Sequence, residues 1–158
     1  MSENVEILIA KMEDAEDIAL ISWQTGKIHE KVLPNYFKQT KLKNNLKFIK
    51  DTIESEYSEV FKAVIDRKIC GYLAVFLLDQ SAEFFVYPEY GYIGSLGVDE
   101  AYRSKGIGTL LVKAAEEWCK AKGIKAIDME VFAFNENAER LYDKLGYKEL
   151  KHYRRKTL

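Results

Sequence analysis

Apolar positions along this chain change period several times, and the changes outline its elements. Val5 to Ile9 alternates and predicts a short strand. Met12 to Thr25 follows with Ala15, Ile18, Ala19 and Trp23 at helical spacing, and with Gly26 near its end. Its start carries Glu13, Asp14, Glu16 and Asp17, whose charge complements the positive end of a helix dipole. Lys27 to Lys38 has no clean period and contains Pro34, so it reads as a connection or a broken helix. Leu42, Leu46, Ile49 and Ile53 then return to helical spacing, with lysines on the opposite, solvated face.

The middle of the chain is strand-like. Val60–Asp66 and Ile69–Leu78 are apolar runs joined by Asp66-Arg67-Lys68, which predicts a hairpin. After a loop through Pro88, a strand from Tyr90 to Val98 contains Gly94 and Gly97, a sign of a bulge or of close approach by another molecule. The clearest helix spans Ile107 to Lys122, where Ile107, Leu110, Leu111, Ala114, Ala115, Trp118 and Cys119 line one face and Gly123 stops it. Ala126–Phe132 reads as a strand, Glu136–Leu145 as a helix stopped by Gly146, and Tyr147–Leu150 and Tyr153–Thr157 as closing strands. The order β-α-α-β-β-β-α-β-α-β-β predicts an α/β (α+β) fold: a mixed, mostly antiparallel central sheet flanked by helices, with one strand-helix-strand crossover.

Composition narrows the partners more than the fold. The 158 residues are 47% apolar and 31% charged, with no repeat or linker, so residues 1–158 are expected to form a single domain. With 24 basic against 25 acidic side chains the net charge is -1, which offers no general attraction to nucleic acid or to an anionic membrane. No signal-like or membrane-spanning run is present in the sequence, which favours a cytoplasmic location. Cys70 and Cys119 fall in apolar stretches and read as buried packing residues. His29 and His152 have no ligand spacing to another His or Cys, so no metal is expected, and both read as surface residues.

One stretch departs from this ordinary background. Between the strand ending at Val98 and the helix from Ile107 lie Arg103, Ser104, Lys105 and Gly106-Ile107-Gly108. The first N–H groups of a helix have no internal acceptor, the dipole adds positive charge there, and glycine removes the Cβ that would hold an anion away. A local anion site is therefore expected. It lacks both the GxxxxGK[ST] of a P-loop and the wider GxGxxG of a dinucleotide site.

Leu96-Gly97-Val98-Asp99-Glu100-Ala101-Tyr102-Arg103-Ser104-Lys105-Gly106-Ile107-Gly108-Thr109-Leu110-Leu111, with the later Glu130-Val131, Asn135 to Tyr142 and Leu145-Gly146-Tyr147, resembles the GNAT superfamily of N-acetyltransferases. The resemblance implies acetyl-CoA as cofactor, coenzyme A as product, and a slot between splayed strands. It implies that Arg103, Ser104, Lys105, Gly106, Ile107, Gly108 and Thr109 hold the pyrophosphate. By the same resemblance, Leu96 and Val98 pair their backbone with the pantetheine arm, and Asn135 hydrogen-bonds that arm. Locally, Asn135 reads equally well as a helix N-cap.

Acetyl transfer to an amine requires a neutral nitrogen, a stabilised oxyanion and a proton for the departing thiolate. An alkyl ammonium with a pKa around 10.4 must lose its proton first. By resemblance Tyr142 is the acid facing the cofactor sulfur, although its place in the stripe Ala138, Leu141, Tyr142, Leu145 also suits packing. Glu130 is the leading base, resembling the Glu…Asn…Tyr arrangement of ribosomal-protein alanine acetyltransferases, with Glu89 and a water held by Tyr92 as rivals. A backbone N–H near Val98 is the expected oxyanion partner. The expected acceptor is the amine of a small molecule, attacking directly in a ternary complex. The alternatives are a protein N-terminus, made less favourable by the Lys27–Ile53 insertion, or a non-catalytic acyl-CoA sensor. A homodimer is an expectation by family analogy alone.

Overall fold

A computed structural model describes residues 4–158. At its centre lies one sheet with the strand order β1-β2-β3-β4-β5, comprising β1 (Glu6–Ile9), β2 (Ser58–Ile65), β3 (Lys68–Asp79), β4 (Glu89–Val98) and β5 (Ile127–Met129). Neighbours from β1 to β4 pair antiparallel, and β4 pairs parallel with β5. Helices α1 (Ala15–Val32) and α2 (Leu42–Glu54) pack on one face, α3 (Ile107–Ala121) on the other, and α4 (Glu136–Lys144) lies beside α3. This is the mixed, mostly antiparallel sheet that the apolar pattern predicts.

β3 explains why both faces need helices. Its run Gly71 to Val75 is buried throughout, so alternate side chains enter two cores. Tyr72 and Ala74 meet Ile18, Ala19, Ile21 and Ile49, whereas Leu73 and Val75 meet Ile107, Leu111, Val112 and Ala115. Each fully buried Ile, Leu or Val contributes about 1.5–3 kcal/mol. Asp66 and Arg67 take positive φ values of 48° and 66°, giving β2–β3 the tight two-residue turn that the twist of a hairpin favours. Asp14, only 8% exposed, ties the start of α1 to the sheet: its carboxylate accepts from Lys11 N and from Lys62 Nζ on β2, each at 2.7 Å.

Four expectations need correction. The first helix does not stop near Gly26 but continues to Val32, making the first half of Lys27–Lys38 helical. A Cβ at Gly26 would meet nothing within 4 Å, so its cost there is only that of a glycine within a helix, about 1 kcal/mol. Trp23 is not in the buried stripe, which holds Ala15, Ile18, Ala19, Ile21 and Ser22; its indole N–H instead donates to Thr40 O at 3.1 Å. The strand expected over Ala126–Phe132 shrinks to Ile127–Met129, because its partner bulges away beyond that point. Tyr147–Leu150 and Tyr153–Thr157 form no strands. Their alternation finds no ladder among the described residues, and side chains anchor the tail: Tyr147 Oη donates to Glu116 at 3.0 Å, and the Arg155 guanidinium lies 4.4 Å from the Tyr36 ring centroid. Cys70 and Cys119 are both buried and unbridged, as expected.

Candidate functional site

The site grows from one irregularity in β4. Ala74 pairs with Ser95 but Val75 pairs with Ile93, so Gly94 is an extra, bulged residue. A Cβ on Gly94 would stand 2.6 Å from Cε2 of the Phe76 ring, so no side chain fits there. Parallel pairing to β5 covers Gly91, Tyr92 and Ile93 and ends there. From Gly94 to Val98 the outer edge of β4 has no strand partner among the described residues. Asp99 N donates to Cys70 O at 2.9 Å, toward β3. Strand alternation therefore turns the main-chain groups of Leu96 and Val98 to the open edge.

At the far end of that edge the chain makes a basic loop. Arg103 folds back, its Nε donating to Val98 O at 3.1 Å. Lys105 Nζ lies 5.3 Å from the centroid of the Tyr102 ring, and Lys68 Nζ, from the β2–β3 hairpin, lies 5.4 Å from the same centroid. Lys68 is a basic group that the sequence reading treats only as part of a turn. Ser104 and Gly106 have φ values of 64° and 78°. The left-handed turn aims the chain into α3, whose first internal bond is Leu110 N to Gly106 O at 3.2 Å. The N–H groups of Ile107, Gly108 and Thr109 thus have no helical acceptor, and no side chain caps them. The two glycines do different work: Gly106 supplies the left-handed turn, while Gly108 lets α4 approach, since a Cβ there would lie 3.2 Å from Leu141 Cδ2.

Asn135 is the N-cap of α4, its Oδ1 accepting from Ala138 N at 3.2 Å. Tyr142, on α4, is 8% exposed and packs in the α3-side core, edge-on to Tyr147 at 5.5 Å. Burial pushes its phenol up to about 12, and its hydroxyl makes no hydrogen bond with the described residues. Tyr147 is raised more strongly, by burial and by the Glu116 carboxylate beside it.

Glu130 lies just past β5 and is exposed. Its charge acts on the Tyr92 phenol. Tyr92 is raised first by partial burial and then by the Glu130 charge, with Tyr90 and Asp128 adding to it. A Cβ at Gly91 would strike Cys119 on α3, so Tyr92, one position on, faces the α1 side. Glu130 and Tyr142 are therefore presented from opposite sides of the sheet plane, and no described contact joins them. Glu89 sits at the exposed start of β4, paired with Asp79.

His29 is not the surface residue the sequence suggests. Its ring stands edge-on to Phe37, Phe132 and Phe134, with centroids 5.8, 5.5 and 5.2 Å away. The signal in the sequence is the spacing Glu130, Phe132, Phe134, which continues the strand alternation past β5. His152 is exposed, 3.1 Å from Glu149. Among the described residues no cluster of His, Cys, Asp or Glu has the makings of a metal site, and no helix is long and apolar enough to cross a membrane.

Comparison with known proteins adds an independent line. The model of the Acetyltransferase (GNAT) family matches residues 21–147. A Bacillus subtilis protein with the provisional name ribosomal protein bS18-alanine N-acetyltransferase is 25% identical over 99 residues, which is 63% of this chain and 60% of that relative's length. The crystal structure of a tetramutant of the BH1408 protein from Bacillus halodurans superposes with a TM-score of 0.89 at 29% identity, covering 97% of this chain and 99% of the other. The aminoglycoside N-acetyltransferase AAC(6')-Iy, solved in complex with CoA, shares the fold with a TM-score of 0.75 at 14% identity, over 99% of this chain and 98% of its own.

Proposed function

This chain belongs to the GNAT acetyltransferase family, and from that premise we propose that it transfers an acetyl group from acetyl-CoA to the primary amine of a small molecule, by direct attack with both substrates bound. The open edge of β4 beyond the bulge at Gly94 carries this reading. An extended amide-bearing arm has the chemistry to complete such an edge as an added strand would. In this role Leu96 and Val98 pair with the arm through their main chains. The uncapped N–H groups of Ile107, Gly108 and Thr109, the loop Arg103–Gly106 and the dipole of α3 suit a pyrophosphate. Asn135 spends Oδ1 on its cap, so its share in holding the arm falls to Nδ2. AAC(6')-Iy, which has this fold, binds CoA.

When bound, acetyl-CoA supplies an activated acyl thioester. Glu130 takes the ammonium proton of the acceptor, directly or through water, with the Tyr92 phenol, which feels its charge, nearby. The Val98 N–H faces the edge where charge develops on the acyl oxygen. Tyr142 is protonated at neutral pH, as any phenol is, and burial pushes it up further, to about 12. A thiol titrates near 8.5, so the buried phenol gives up its proton less readily than a thiol does. Tyr142 would serve as a hydrogen-bond donor to the departing sulfur and keep its own proton, and the thiolate would be protonated from water.

A protein N-terminus is the second reading, favoured by the bS18-alanine acetyltransferase relative and by the presence of both Glu130 and Tyr142 in the sequence. Release of free thiol from acetyl-CoA across amines, amino acids and N-terminal peptides separates the two. Turnover of amines is the expected result. Stabilisation by acetyl-CoA with no turnover on any acceptor would instead support a sensor, and no stabilisation at all would remove the cofactor assignment.

A further inference from the structure

Five rings meet where α1, the turn after it and the segment past β5 converge. Phe132 is the hub, 5.5 Å from His29, 5.5 Å from Tyr36 and 5.2 Å from Phe37 between centroids, and Phe134 stands 5.2 Å from His29. These contacts are all edge-to-face, which holds the rings as a firm surface. His29 Nδ1 lies 3.2 Å from Thr25 O; a carbonyl only accepts, so Nδ1 carries the proton and the ring is held in one orientation. None of the five is buried, and Tyr36 is 38% exposed. A half-wet aromatic cluster of this size has the character of a ligand wall more than of a core. It also has an address: Phe132 and Phe134 lie between Glu130 and Asn135 in the chain, so an amine presented to Glu130 has its body beside these rings.

The same wall borders a groove of about 750 Å³ whose lining includes Tyr36, Phe37, Lys27, Glu30, Lys31 and Lys38. Charge there is unbalanced. Glu30 is already occupied by Lys27 Nζ at 3.0 Å and by the amide and hydroxyl of Thr40, each at 2.8 Å, and these bonds hold its carboxyl below the usual range. Lys31 and Lys38 remain in excess on the groove's rim, and the Arg155 guanidinium covers Tyr36. A second ammonium on the acceptor would meet cations with their one local carboxylate spent, whereas an anion would be drawn in.

We infer that the acceptor is a monoamine with an aromatic or bulky apolar body and an anionic far end, lying on the ring wall with its amine at Glu130 and its anion toward Lys31 and Lys38. This deepens the acetyl-transfer reading and rests on it. Polyamines and amino sugars are poor acceptors on this account.

A shape-matched series reads the inference directly: 4-(aminomethyl)benzoate, 4-methylbenzylamine and p-xylylenediamine, whose far ends are anionic, neutral and cationic, with spermidine alongside. The expected order of kcat/KM follows that sequence, with at least tenfold between the benzoate and the diamine. Lys31→Glu should reverse the order of those two, and Phe132→Leu should raise KM for all three aromatic amines while leaving KM for acetyl-CoA within twofold. Calorimetric binding of the same amines to the protein without cofactor should give the same order. That arm stands apart from turnover, so a protein that binds no acetyl-CoA fails the parent reading while the amine order still judges this one. Preference for the diamine or spermidine, an order unmoved by Lys31→Glu, or no binding of any aromatic amine would overturn it.

Discussion

Gly94 and Phe76 are in such close contact across β4 and β3 that a Cβ on the glycine would fall 2.6 Å from Cε2 and 3.0 Å from Cδ2 of the ring. The bulge and the ring are one feature: the extra residue sits where the neighbouring strand leaves no room for a side chain. Gly94→Ala must displace the ring or straighten the bulge. Overpacking of this kind costs about 1–3 kcal/mol. Urea unfolding should show that loss, and calorimetry should show weaker acetyl-CoA binding, because the bulge opens the edge beyond it.

Gly106 and Gly108 are separable. Gly106 has a φ of 78° and open space around it, so Gly106→Ala strains only the backbone, by about 1 kcal/mol. Gly108→Ala tests packing against Leu141 and leaves the loop alone. The expected outcome is a larger loss of acetyl-CoA affinity for Gly106→Ala and a loss of thermal stability without equal loss of affinity for Gly108→Ala.

Much of this was legible in the sequence, and for physical reasons. The glycines inside an apolar strand marked a bulge, Asp66-Arg67 a tight turn, and the step pattern from Ile107 the buried face of α3. What was not legible depended on partners. The continuation of α1 past Gly26 is supported by tertiary bonds such as Lys27 and Glu30 to the 38–41 connection, which no local pattern reveals. β5 ends early because β4 bulges, so its length is set by another strand. Tyr147 and Tyr153 alternate like strand residues, yet the first is held by Glu116 and the second is exposed. Within the candidate site, the loop at Arg103–Gly108 could be read directly, but the ring wall around His29 could not, since its members come from three separate segments.

Tyr142→Phe separates chemistry from packing. The hydroxyl has no hydrogen-bond partner among the described residues, so stability at pH 7 should change by no more than about 0.5 kcal/mol. Acetyl-CoA affinity should hold while kcat falls at least tenfold. The pH dependence has a definite sign. Burial raises the folded phenol to about 12, above its unfolded value near 10. Its stabilising contribution is therefore intact below pH 10 and is lost as pH rises from about 10 through 12, on the order of 2–3 kcal/mol. Unfolding followed across that window should show a shallower decline for the phenylalanine variant.

Asp14 and Lys62 form a nearly buried pair that joins α1 to β2, with side chains 11% and 14% exposed. Removing one partner leaves the other charge uncompensated, so Asp14→Ala should lose about 3–5 kcal/mol. Asp14→Ala with Lys62→Met should recover a large part of that loss in chemical denaturation, because the stranded ammonium is gone.

Amide hydrogen exchange at β4 tests the central claim most directly, that the edge left open beyond Gly94 is the acetyl-CoA slot. Val98 and Leu96 direct their N–H groups to that edge, whereas Asp99 is bonded to Cys70 O. Adding acetyl-CoA should slow exchange at Leu96, Val98 and Ile107 to Thr109 while leaving Asp99 unchanged. Acetyl-CoA that binds without protecting Val98, or that protects only residues remote from β4 and the start of α3, would contradict the account.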